Sequence, residues 1–158
     1  MAKTAGRTGL LGIYLNDHLA GATTGVELAR RIAGAKDDKV LRGLAQDIAD
    51  DRDALLEIMA ALDVPVRRYK VMGAWAAEKA GRLKPNGRIV RRSPLSDLVE
   101  LELLRLGVEG KSALWASLRT TAVPELDGER LDDLLSRARH QSELIEDLRL
   151  RVAAEALR

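Results

Sequence analysis

No cysteine occurs in this chain, which removes disulfide frameworks, thiolate metal ligation and cysteine nucleophiles together. Phenylalanine is also absent, and aromatic residues fill only 3% of the 158 positions. Abundant Ala, Leu and Arg with so few aromatics favour packed helices over sheets. No apolar run approaches the roughly 18 residues that span a bilayer. The run LLGIYL behind Lys3 and Arg7 has the order of a signal peptide, but Asn16, Asp17 and His18 end it too early for an h-region. A soluble, cytoplasmic protein without membrane contact is therefore expected. A P-loop, a Rossmann glycine pattern, a zinc-protease helix and a nucleophile triad are all missing, so the expectation is a chain with no catalytic residues and no cofactor.

What the chain does contain is helical periodicity. Four long segments repeat apolar residues every three or four positions, and none alternates at two, so the fold class is all-α. The spacing predicts a first helix over Leu10–Ala33 with Leu11, Leu15, His18, Ala22, Gly25, Ala29 and Ile32 inward, ended by Gly34. A second is expected over Asp37–Leu62 through Leu41, Leu44, Ile48, Asp51, Leu55 and Met59. Ser93-Pro94 opens a third as cap and first-turn proline, running to about Ala122, and its nearly encircling leucines predict the most buried helix of the four. The fourth covers Gly128–Leu157 through Leu131, Leu134, Ala138, Gln141 and Ile145. Short connections make helices one and two, and helices three and four, antiparallel hairpins. Residues 63–93, with a short helix expected over Val71–Leu83, form a long crossover within a single 158-residue domain.

Two hairpins joined by a long crossover, together with the stretches YLNDHLAGATTGVELARR, LLEIMAALDV and GKSALWASLR, resemble the bacterial ferritin-like families of small, uncharacterised or stress-linked proteins. The resemblance implies a ferritin-like four-helix bundle. Iron-oxidising members hold two metals with Glu-x-x-His motifs facing inward. Here Leu15 and Arg137 stand three residues before the two histidines, His18 and His140, and the third-helix ligand positions fall on Leu104, Arg105 and Gly107. The resemblance therefore carries the fold with the di-iron ligands lost, and no metal site is expected. His140 and Glu143 have usable spacing but face away from the apolar stripe.

Four polar residues interrupt the stripes at mid-height: His18, Asp51, Lys111 and Gln141. Counting back from each turn places them in one layer, with Asp51 expected between Lys111 and His18 and Gln141 completing the hydrogen bonds. Side-chain charge would then replace ions at the centre; the alternative is that Lys111 reaches solvent and His18 is an ordinary satisfied core residue. Glu100, near the start of the third helix, is expected to favour the helix dipole or reach solvent. Gly21-x-x-x-Gly25 is expected to let helices approach closely.

Charge is distributed unevenly. The crossover holds nine basic side chains, among them Arg67, Arg68, Lys70, Lys84, Arg88, Arg91 and Arg92, against two acidic ones, a net of +7, while the rest of the chain stands at −5. Such a strap can contact nucleic-acid phosphates, with Tyr69 or Trp75 to stack, or dock on its own bundle at Asp47, Asp50 and Asp53. A total of only +2 favours the second. The leading expectation is a non-catalytic interaction or structural module, forming a homo-oligomer and preferably a dimer. The alternatives are a divergent metal-dependent oxidase or iron-handling protein, and a binder of nucleic acid or another anionic partner.

Overall fold

The computed structural model describes residues 3–67 and 93–158, which form four helices: α1 (Lys3–Lys36), α2 (Lys39–Ala61), α3 (Pro94–Thr120) and α4 (Gly128–Ala156). Among the described residues there is no strand, and no helix is long and apolar enough to cross a membrane. The short helix expected over Val71–Leu83 lies outside the described residues.

The starts of α2, α3 and α4 each have a local chemical cause. Asp38 accepts from the amides of Val40 at 2.7 Å and Leu41 at 3.2 Å and opens α2. Ser93 accepts from Ser96 N at 3.2 Å, with Pro94 in the first turn of α3, where a missing N–H costs nothing. Asp127 accepts from Glu129 N at 3.0 Å and Arg130 N at 3.3 Å at the head of α4.

The first helix is longer than expected at both ends, and Gly34 does not stop it. The stop is Asp37, whose φ of 44° is left-handed, so Asp37 and Asp38 end one helix and begin the next. Beyond α2, Asp63 (φ 52°) plays the same part. Asp63 N donates to Ala60 O and Val64 N to Met59 O, a Schellman-type close, and Val64 is buried behind it.

The core is one aliphatic cluster. Leu15, Leu55, Met59, Leu114, Trp115, Leu118, Ala138 and Ile145 are almost fully excluded from solvent. The most enclosed helix is α2, with ten buried positions against seven in α3. The expectation for α3 fails because its leucines serve two faces: Leu98, Leu101, Leu104 and Leu118 enter the core, while Leu95, Leu103 and Leu106 remain exposed. Extensive packing joins α1 to α2, α3 to α4, and α1 to α3. Glu100 is paired across the last of these contacts: Arg31 Nη2 lies 3.0 Å from it, and Lys36 Nζ lies 2.8 Å from Asp97.

Candidate functional site: a central ion network beside a cavity

The Asp51 side chain is completely buried on the inner face of α2, and an isolated carboxylate there would be untenable. Three side chains answer it. Lys111 Nζ donates to Oδ2 at 2.6 Å and also to Gln141 Oε1. Gln141 Nε2 donates to the same Oδ2 at 2.8 Å, closing a triangle between α2, α3 and α4. Arg137, one turn before Gln141, brings Nη2 to 2.9 Å from Oδ1. That nitrogen also donates to the Asp47 carbonyl at 3.2 Å, and its approach to Oδ1 is an ion pair without a hydrogen bond.

His18 does not join this network. It is half-buried on α1, edge-on to Tyr14 with ring centroids 4.6 Å apart, and the place beside Asp51 expected for it is filled by Gln141 and Arg137. The physical reason is reach: Arg137 extends from α4, whereas His18 is spent on the Tyr14 ring. Burial lowers the His18 pKa below its ordinary value, opposed in part by the Asp17 charge. Burial likewise lowers the Lys111 pKa; the charge and hydrogen bond of Asp51 oppose that shift, and Arg137 adds to it.

His18 and the network share a cavity of about 460 Å³, entered between α1 and α3 and floored by Ile48, Asp51 and Leu55 of α2. Trp115 and Lys111, one turn apart on α3, form part of its wall. Four glycines also line it, Gly21 and Gly25 of α1 and Gly107 and Gly110 of α3, and a methyl added to any of them would meet nothing within 4 Å among the described residues. Gly21-x-x-x-Gly25 therefore holds a space open; it does not bring two backbones together. Each such glycine costs about 0.5–1 kcal/mol of helix stability relative to alanine.

Neither the glycine-lined hollow nor the role of Arg137 was recognised from the sequence. For Arg137 the available signal was its i, i+4 relation to Gln141. Asn16, 2% exposed, does more than end an apolar run. Its Nδ2 donates to Gly12 O at 2.8 Å and Pro65 O at 3.1 Å, and its Oδ1 accepts from Arg67 N at 2.6 Å, tying the chain after α2 to α1. A polar residue between Leu15 and Leu19 was the clue.

Comparison with known proteins adds no assignment. No family model, curated protein or solved structure matches this chain.

Of the basic crossover, Arg67 is described and exposed, while Arg68, Lys70, Lys84, Arg88, Arg91 and Arg92 lie outside the described residues. Asp47, Asp50 and Asp53 are exposed. Asp50 and Asp53 line a groove with Arg130 and Arg137 of α4. His140 and Glu143 are exposed as well. Among the described residues, no three His, Cys, Asp or Glu side chains are gathered so as to hold a metal ion.

Proposed function

We propose that this chain is a non-catalytic bundle on the ferritin-like plan, an interaction or structural module whose centre is neutralised by its own side chains. The observation that carries the reading is the Lys111 ammonium 2.6 Å from the wholly buried Asp51. A cation is already in place where a metal-bearing bundle would keep its ions, and the remaining acceptor of Gln141 is turned to it. The order of the cross-helix pairs supports two antiparallel hairpins with α2 parallel to α3. Arg31–Glu100 and Lys36–Asp97 tie the end of α1 to the start of α3. Glu57–Arg130 and Asp51–Arg137 descend α2 as they climb α4. Exposed Leu10 and Ile13 on α1, with Leu103 and Leu106 on α3, supply apolar area for self-association into a dimer.

The test is metal content. Protein purified without a histidine tag, incubated with Fe(II) or Mn(II) and desalted, should retain far less than one ion per chain by mass spectrometry. Stoichiometric retention that is lost on replacing Asp51 would overturn the reading in favour of a divergent metal site.

A further inference from the structure

The ion network accounts for the floor of the central cavity but leaves donors on its walls unanswered. Trp115 is 1% exposed, and its indole Nε1–H has no partner among the described residues. The Nε–H of Arg52, which also lines the cavity, is equally unpartnered among the described residues. An ammonium has three hydrogens, and those of Lys111 that serve Asp51 and Gln141 leave one to give. Asp51 Oδ2 accepts from Lys111 at 2.6 Å and from Gln141 at 2.8 Å, while Oδ1 has the Arg137 guanidinium 2.9 Å away as an ion pair without a hydrogen bond. Among the described residues of the lining, the unbonded donors outnumber the one unbonded acceptor, Asp51 Oδ1. Although Lys111 and Arg52 face Asp17 and Asp51 in the lining, Arg137 behind Asp51 adds a further positive charge, so an anionic acceptor is favoured.

Size and lining define the rest of the occupant. A volume of about 460 Å³ lies within the range of small-molecule sites and far exceeds the roughly 30 Å³ of a single water. Leu55, Leu104 and Val108 give the walls an apolar character, and water gains little against such surface. An inorganic anion would use the donors and leave these walls wet.

The geometry points to a binding site for a small amphipathic carboxylate, its head accepting from Lys111 and Trp115 and its hydrocarbon part lying along Leu55, Leu104 and Val108 into the space left by the glycines. This deepens the reading of the same site and rests on it only in requiring that no metal fill the cavity.

Decanoate, with decanol as its uncharged counterpart, tests the site by calorimetric titration of the full chain, with metal content measured on the same sample. Expected is one saturable decanoate site per chain and at least tenfold weaker decanol binding. Trp115→Phe, which removes the N–H donor and keeps an aromatic ring in the wall, should weaken decanoate severalfold. Gly25→Leu, which places a side chain in open space, should abolish binding while the melting temperature holds. Lys111→Met should erase the preference for decanoate over decanol; should that variant not fold, the other two decide. Absence of saturable binding in metal-free protein would overturn the ligand site and leave the proposed function standing. Equal binding of decanoate and decanol, undiminished by Trp115→Phe and Gly25→Leu, would equally overturn it. A stoichiometric metal in the sample would instead overturn the proposed function.

Discussion

Asp51 depends entirely on its neighbours, because a carboxylate with no access to water must find its counter-charge within the protein. Removing one partner of a buried pair costs about 3–5 kcal/mol. Arg137 still faces Asp51 when Lys111 is lost, so Lys111→Met should fall near the low end, about 3 kcal/mol by urea denaturation. An unchanged or higher melting temperature with Asp51 intact would remove the case for a network. Replacing Lys111, Asp51 and Gln141 together by Met, Leu and Leu should recover most of the loss, since apolar residues of similar volume leave no orphaned charge. His18 sets a pH dependence. Its folded pKa lies below the ordinary 6.5, so as pH falls through that value the unfolded chain takes up a proton that the folded one resists. Stability present above pH 6.5 is thus lost on acidification, and His18→Gln should flatten the decline.

At the scale of the element, helix boundaries were readable wherever a side chain caps a backbone. Ser93-Pro94 and the start of α4 follow from residue type alone. The end of α1 did not, because Gly34 offered the obvious left-handed residue and the chain used Asp37. The one-sided burial of α3 was equally hidden, since leucine on two faces of a helix looks the same whether the second face meets a neighbour or solvent. Of the site, three of the four stripe interruptions are in contact. Periodicity and counting along helices bring such positions level, but they carry no information about a hollow, which depends on how far apart two helices stand. Asp63 at φ 52° is open to improvement: Asp63→Gly should gain about 0.5–1 kcal/mol by relieving the left-handed backbone, read as a rise in melting temperature. Gly43 sits exposed on α2 with nothing within 4 Å of an added methyl, and Gly43→Ala should stabilise by a similar amount. Asn16→Ala removes three hydrogen bonds at once. It should cost about 2–3 kcal/mol and speed hydrogen exchange at the Arg67 amide by more than at core amides.

In the whole molecule, opposite charges among the described residues bridge different helices more often than they pair within one helix. Arg31–Glu100 and Lys36–Asp97 bridge α1 to α3, and Arg130–Glu57 with Arg137–Asp51 bridges α4 to α2. The exposed bridges should be screened and contribute little, whereas the buried one resists salt. Thermal stability in 1 M NaCl should therefore fall only slightly in the native chain and show no larger fall in the triple apolar variant.

The central network is divided unevenly along the chain. The lone anion belongs to residues 3–67, and every group that answers it belongs to residues 93–158. Either half by itself would carry an unanswered charge on the very face it needs to bury. Severed between them, the two pieces should behave as obligate complements, each poorly ordered until it recruits the other.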